Sequence, residues 1–244
     1  MGDNIVIGGN VTNCNINSFN SDSIIKANGE IITKVFDVNP SFACIEVSDS
    51  FEVSVSIGEV HSVSVTGPSN IIPFVDIKVE DDFCIYLNRD NIGKIVISMK
   101  DISFSGLLVF GTIKVHVVLP KLARLVVSGS SDVNIEDIIS SKKLIIESKG
   151  SSDIKAEVDV LELIINTFGS SDIDIKGKVL KKAMITTNDR STVKAGDLLV
   201  SEALIEMAGD SELKIRVSDK MIVDLLGNSE LKASKQPTNE VEIE

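Results

Sequence analysis

The chain has 244 residues, and its 36 acidic and 24 basic side chains give it a formal net charge of −12. This excess of negative charge argues against binding to nucleic acid or to anionic lipid, because both need a surplus of Lys and Arg. Hydrophobic residues make up 43% of the chain, but aromatic residues only 4%, so the core must consist of Ile, Val, Leu and Ala. Because Ile and Val favour strands and long helical periodicity is absent, the composition predicts an all-β protein.

Few residues of the chain suit a metal site or a disulfide framework. The two His and the three scattered Cys (Cys14, Cys44 and Cys84) show no zinc-finger spacing and no even-numbered disulfide pattern. Cys44 and Cys84 lie in apolar, strand-like runs, so we expect buried thiols there. No stretch reaches the roughly 18 apolar residues of a membrane span. We therefore expect no cofactor and no membrane span.

The first half of the chain is rich in strands but shows no repeated motif. Residues 1–34, rich in Asn, Ser and Gly, are predicted to form a lead-in or a cap, and no signal peptide is visible in them. In residues 35–122 several runs alternate between apolar and polar side chains, among them Phe51–Gly58. Because we find no linker, we expect one continuous domain over residues 35–233, followed by a polar tail at 234–244.

The second half, residues 123–233, repeats itself six times. Gly129-Ser130-Ser131-Asp132 returns as Gly150-Ser151-Ser152-Asp153 and Gly169-Ser170-Ser171-Asp172, followed by three looser copies beginning at Asp189, Gly209 and Gly227. The third-position Ser residues are 21, 19, 20, 20 and 18 residues apart. A period near 20 with short alternating strands is typical of a β-solenoid, in which each repeat forms one turn, or rung.

Columns of equivalent residues predict how the rungs stack. The column after the acidic position is apolar throughout, and the column two residues further alternates between Ile and Ala (Ile135, Ala156, Ile175, Ala195, Ile215 and Ala233). A large side chain stacked on a small one fills a narrow core without voids. We expect both columns to point inward, with neighbouring strands about 4.8 Å apart.

The turn motif itself has a structural interpretation. Gly opens five of the six copies and Asp189 the sixth, which suggests a left-handed backbone conformation. The third-position Ser never changes, and we interpret it as a hydrogen-bonding brace at the corner rather than as a row of nucleophiles. The acidic fourth position admits calcium as an alternative. We favour a solvated acidic edge, because the sequence lacks the dense Gly- and Asp-rich nonapeptides of calcium-loaded β-helices.

Two outward-facing columns are candidate functional surfaces. The polar column between the two inward columns is the candidate interaction face: Asn134, Lys155, Asp174, Lys194, Lys214 and Lys232. On the strand before each turn, an outward column is unexpectedly apolar: Ile145, Ile164, Met184, Leu204 and Ile222. A strand that is apolar on both faces is normally covered on both faces. We expect the N-terminal half or a second subunit to cover this stripe, so a homo-oligomer is one of the two alternatives.

A family resemblance adds to this interpretation. The succession Phe36-Asp37-Val38, Ile45-Glu46-Val47-Ser48, Val117-Val118-Leu119-Pro120 and Leu125 to Asp132 resembles the bacterial putative auto-transporter adhesin "head GIN domain" family over roughly residues 35–233. The resemblance implies a single-stranded β-helix of the pectin-lyase-like type, right-handed, and a role in cell adhesion. It implies an extracytoplasmic location and carries no catalytic residues.

These observations favour a non-enzymatic, adhesin-like module that presents its solenoid face to a glycan or a surface protein. Two alternatives are kept, a carbohydrate-active enzyme on the same fold and a cytoplasmic scaffold. An enzyme needs paired acids at one point along the helix, whereas this chain spreads its carboxylates one to a turn. His61 and His116 are interpreted as structural residues.

Overall fold

The computed structural model describes residues 27–38, 41–80, 93–100, 112–234 and 241–243. This part of the chain is almost entirely β-structure, with one short 3₁₀ turn at Ile72–Phe74. The strands are β1 Ile31–Phe36, β2 Phe42–Val47, β3 Glu52–Ile57, β4 Ser62–Pro68, β5 Val75–Glu80, β6 Gly93–Met99, β7 Lys114–Leu119, β8 Arg124–Gly129, β9 Asp132–Gly150, β10 Asp153–Gly169, β11 Asp172–Thr187, β12 Thr192–Met207, β13 Glu212–Leu225, β14 Glu230–Ala233 and β15 Val241–Ile243.

The repeats stack as parallel rungs in the register that the sequence predicts. Asp153 pairs with Asp132 on one side and with Asp172 on the other, so equivalent positions of successive repeats lie side by side. The same register continues through β12, β13 and β14. Each long strand runs from one turn to the next and bends at irregularities, such as the one between Asp174 and Gly177. These pairings confirm the β-solenoid with rungs of about 20 residues.

The core lies inside this coil, where the inward columns meet. Ala156 pairs with Ile175, and Ile215 pairs with both Ala195 and Ala233, so the alternation of large and small side chains along the axis is confirmed. Burying an aliphatic side chain of this size stabilises the fold by roughly 1.5–3 kcal/mol. The interior is filled by side chains that are at most 2% exposed, among them Val133, Ile154, Ile173, Val193, Leu213, Leu144, Leu163 and Ile165.

One further rung comes from the first half of the chain, where the sequence shows no motif. β2 pairs in parallel with β8, and β3 pairs in parallel with the start of β9, with Glu52 beside Asp132. The intervening turn copies the repeat geometry, because the Ser130 N–H donates to the Asp49 carbonyl as the Ser151 N–H donates to that of Gly129. Asp49-Ser50-Phe51-Glu52 is therefore a turn of the solenoid with Asp in place of Gly and Phe in place of Ser.

The end of the solenoid before this rung is built in a different order from the sequence. β6 and β7 pair in parallel with β2 and β3, forming the next rung outward although they follow them in the chain. Strands β5 and β4 then pair antiparallel with β6 and β7, and β1 pairs antiparallel with β4. Antiparallel strands therefore end the parallel stack.

Some sequence-based predictions meet the structure only in part. Residues 1–26, with Cys14, and residue Cys84 lie outside the described residues. Cys44 is buried, as predicted. β1 runs past residue 34, where the lead-in was expected to end, and pairs with the domain. In the polar tail, β15 pairs in parallel with Met221–Val223.

Candidate functional site

The first position of each turn has a left-handed backbone, which explains its residue types. Gly129, Gly150 and Gly169 have φ angles of 91°, 99° and 92°. Asp189 at 61° and Asp49 at 73° adopt the same conformation. Each of these Asp residues accepts a hydrogen bond from the N–H at the turn position of the neighbouring rung, Asp189 from Gly169 at 3.1 Å and Asp49 from Met99 at 2.8 Å. The Asp side chain thus compensates for the conformation that Gly adopts freely.

The invariant Ser residues brace the corners, as the sequence predicts. Ser131, Ser152, Ser171, Ser191 and Ser211 are at least 99% buried. Four of the hydroxyls in this column donate at 3.4 Å to the carbonyl at the first position of the neighbouring turn: Ser152, Ser171, Ser191 and Ser229. The Ser ladder is therefore occupied with structural hydrogen bonds.

The segments after the turns carry an exposed polar face, which we call the post-turn face. Its first column is mainly acidic: Glu52, Asp132, Asp153, Asp172, Thr192, Glu212 and Glu230. Its second column adds Ser54 to the six residues predicted as an interaction face: Asn134, Lys155, Asp174, Lys194, Lys214 and Lys232. All six predicted residues are exposed.

Far from β3, several charges of the first and second columns pair along the ladder. Lys194 reaches Asp172 at 3.2 Å, and Lys232 reaches Glu212 at 2.9 Å and Glu230 at 3.1 Å. The hydrogen bonds from Glu212 and Glu230 raise the pKa of Lys232 above its ordinary value. Because these side chains are exposed, water and salt screen the pairs, and they contribute little to the stability of the fold.

Near β3, the same face forms a shallow groove of about 590 Å³. β3, β7, β9 and β10 bring its lining together: Glu52, Val53, Ser54, Lys114, Asp132, Val133, Asn134, Asp153 and Lys155. Lys114 pairs with Glu52 at 3.2 Å. In the described chain, by contrast, Asp132, Asn134, Asp153 and Lys155 form no side-chain hydrogen bond or ion pair. Their polar atoms are thus not engaged by other side chains of the described residues.

The structure places two of the six predicted residues, Asn134 and Lys155, in this groove; the other four lie on the same face beyond it. Glu52, Ser54 and Lys114 also line the groove and were not predicted from the sequence. Their signal was present in the alternation Glu52-Val53-Ser54-Val55, which matches Asp132-Val133-Asn134-Ile135 once the turn at Asp49 is aligned with that at Gly129.

Both His residues make structural contacts. The Nε2 atom of His61 lies 2.8 Å from the carbonyl oxygen of Phe42, whose ring packs edge-on against the imidazole. The Nδ1 atom of His116 shares a hydrogen bond of 2.7 Å with the Ser54 hydroxyl. A nucleophilic Ser–His pair needs a third group to orient the His. Among the described residues His116 has no other side-chain hydrogen bond, so the pair joins β3 to β7 without forming a triad.

Within the described ranges, no three His, Cys, Asp or Glu side chains converge in a way that could hold a metal ion. None of the helices in those ranges has the length and apolarity needed to cross a bilayer.

The apolar stripe lies on the segments before the turns, on a face that we call the pre-turn face. Its members stack in register, with Ile164 beside Ile145 and Met184, and Leu204 beside Met184 and Ile222. Ile145 is only 4% exposed, whereas Met184 is 40% exposed. Ile164, Leu204 and Ile222 are half-buried.

Comparison with known proteins places this architecture in a family. The model of the family described as "Putative auto-transporter adhesin, head GIN domain" matches residues 41–237, which include the solenoid and its β2–β3 rung. The chain belongs to this family. No curated protein matches the sequence.

Solved structures share the fold at low sequence identity. A putative adhesin from Bacteroides fragilis superposes with a TM-score of 0.70 at 17% identity, covering 90% of this chain and 99% of that one. A putative adhesin from Parabacteroides distasonis gives 0.64 at 18% identity, with 91% and 98% coverage. A putative lipid binding protein from the same species gives 0.61 at 16% identity, with 91% and 99% coverage. At sequence identities this low, the superpositions show a common fold and nothing more.

Proposed function

We propose that the protein is a non-catalytic, adhesin-like module that works outside the cytoplasm and binds a glycan or a surface protein in the groove on its post-turn face. The observation that carries the proposal is the contrast along this face. Asp172 and Glu212 form ion pairs with Lys194 and Lys232, whereas Asp132 and Asp153 in the groove form none with any described residue. Membership of a family described as adhesins supports the same function.

The chemistry of the groove suits a ligand rich in hydroxyl or amide groups. The carboxylates of Asp132 and Asp153 accept hydrogen bonds, the amide of Asn134 both donates and accepts, and the ammonium of Lys155 donates. These groups come from adjacent strands about 4.8 Å apart, so an extended ligand would meet them in succession. Since the groove carries three acids and two bases, it is complementary to an uncharged or mixed-charge ligand rather than to a polyanion.

Binding to glycan arrays and immobilised matrix proteins tests the groove. The double variant Asp132→Asn/Asp153→Asn keeps the shape but removes both negative charges, and we expect it to bind tenfold or more weakly, because a hydrogen bond to a charged group contributes about 1.5–3 kcal/mol. Asp172→Asn/Glu212→Gln, the matched control in the same column outside the groove, should change affinity less than about twofold. Equal effects of the two pairs on a ligand that binds would contradict the groove as its site.

Location is tested separately on intact cells. Added protease should remove a surface-exposed protein while leaving a cytoplasmic marker intact. A chain that stays protected until the cells are lysed, and that fractionates with the cytoplasm, would contradict the adhesin function and favour the alternative of an internal scaffold.

A further inference from the structure

We propose that the pre-turn face is the contact surface of a two-fold symmetric homodimer, in which the apolar stripe of one copy packs on that of the other. The stripe consists of Ile145, Ile164, Met184, Leu204 and Ile222, and four of these five side chains are half-buried or exposed. Burial of such a continuous apolar surface is favourable, and monomeric proteins rarely leave one open.

The described N-terminal strands do not cover the apolar stripe. β2 and β3 join the repeats by pairing with β8 and with the start of β9, which extends the stack at one end. Further out at the same end, β4 pairs antiparallel with β7, β5 with β6, and β1 with β4. The stripe runs along the side of the stack over β9 to β13, so among the described strands the N-terminal ones extend the stack instead of lying along the stripe.

A charged column beside the stripe indicates which partner fits. Two residues before each stripe position lie Lys143, Glu162, Lys182, Glu202 and Lys220, whose signs alternate from rung to rung. In the described chain Glu162, Lys182, Glu202 and Lys220 form no ion pair or side-chain hydrogen bond of their own, unlike Lys194 and Lys232 on the post-turn face. This column therefore offers charges of alternating sign to whatever covers the stripe.

An alternating column of this kind is complementary to a second copy of itself. A two-fold axis parallel to the strands reverses the order of the rungs and places each column against the same column of the partner. If the axis passes midway between the rungs of Lys182 and Glu202, then Lys182 faces Glu202 of the second copy and Glu162 faces Lys220. The same operation places Met184 against Leu204 and Ile164 against Ile222, so apolar residues meet apolar residues.

The size of the face is consistent with a reversible dimer. Five strands about 4.8 Å apart and six residues of about 3.3 Å each span roughly 500 Å² in each copy. The total of roughly 1,000 Å² is at the lower end for specific interfaces, so we expect dissociation in the micromolar range. The groove lies on the post-turn face and is not part of this contact.

The solution mass, followed over a dilution series by light scattering or sedimentation, tests the association. We expect the unaltered chain to form dimers at tens of micromolar, and Met184→Asp to weaken the dimer at least tenfold. Leu180→Asp is the matched control, since Leu180 is an exposed residue of the same strand outside the stripe. A chain that stays monomeric throughout the series would overturn the proposal and indicate that the stripe is covered from within its own chain.

Charge exchange and cross-linking test the register. Lys182→Glu alone and Glu202→Lys alone should each weaken the dimer, and the combined variant should restore it, because it recreates opposite charges across the axis. Mixing Ile164→Cys with Ile222→Cys should allow a short thiol-reactive cross-linker of about 8–10 Å to join the two copies, since facing sheets pack about 10 Å apart. Neither variant alone should be joined, because equivalent residues would also be offset by three rungs, about 14 Å, along the stack. Dimers that fail both tests would refute this two-fold arrangement.

Discussion

Three buried hydroxyl groups in the core differ in whether they form a hydrogen bond. The inward column next to the turn includes Ser148, Thr167 and Thr187, all fully buried. The Thr187 hydroxyl donates to the Ser211 hydroxyl at 2.9 Å, but those of Ser148 and Thr167 have no hydrogen-bond partner among the described residues. Because a buried hydroxyl without a hydrogen bond loses its interactions with water and gains none in return, these two positions destabilise the fold.

At this scale we expect the two Thr residues to respond in opposite directions to the same change. Thr167→Val removes an unsatisfied hydroxyl at nearly constant volume and should raise the free energy of unfolding by about 1 kcal/mol. Thr187→Val removes a hydrogen bond and leaves Ser211 with one partner fewer, so it should lower the free energy by about the same amount. Urea denaturation measures both. A loss of stability in Thr167→Val would contradict the inference that the Thr167 hydroxyl forms no hydrogen bond.

The turn is the element that sets the repeat, because it restricts both backbone and packing at its first position. A Cβ atom on Gly150 would lie 2.5 Å from the carbonyl oxygen of Gly129, in a backbone with a φ of +99°. Asp49 and Asp189 show that a side chain is tolerated in some turns, at φ values of 73° and 61° and with the carboxylate bonded to the neighbouring rung.

For the turn we predict that Gly150→Ala lowers the free energy of unfolding by at least about 2 kcal/mol, because Ala adds both a steric contact and a strained conformation. The control is Ser151→Ala at the next position, which is exposed and should stay within about 0.5 kcal/mol of the parent chain. Chemical denaturation under identical conditions compares the two. Equal stabilities would show that the turn adjusts without cost.

For the whole molecule, we expect the net charge to affect the free energy of unfolding more than the individual ion pairs do. The net charge of −12 produces a repulsion that salt screens, whereas exposed pairs such as Lys194–Asp172 contribute little. The groove and the ladder pairs share one face, so charge there affects both stability and binding.

We therefore expect the melting temperature to rise, by a few degrees, as NaCl is increased from low ionic strength to about 0.3 M. Replacing the exposed acids Glu59, Asp159 and Asp219 by their amides should raise the melting temperature at low salt and reduce its response to salt. Calorimetry measures both effects. If NaCl instead lowered the melting temperature, attractive ion pairs would outweigh the net repulsion.

Much of the fold could be predicted because equivalent positions of a repeat share the same environment and therefore the same residue types. The inward columns, the braced Ser at the corner and the left-handed Asp189 all follow from residue types that recur at one position of every rung. The β2–β3 rung could not be recognised in this way, because Asp49 and Phe51 replace the Gly and Ser of the motif. Of the groove, Asn134 and Lys155 were predicted, but the contribution of Ser54 depends on a strand pairing across 80 residues of chain.

The sequence by itself determined that this protein is a β-solenoid with an apolar interior, an exposed polar column and a second, apolar outer stripe. These properties are local, since each rung repeats the same alternation. Only the tertiary structure decided where the repeats begin, which strands end the stack, and which part of the polar face becomes a groove. Those features depend on segments far apart in the chain, such as β3 and β7, lying beside the first repeat, and no periodicity in the sequence records that proximity.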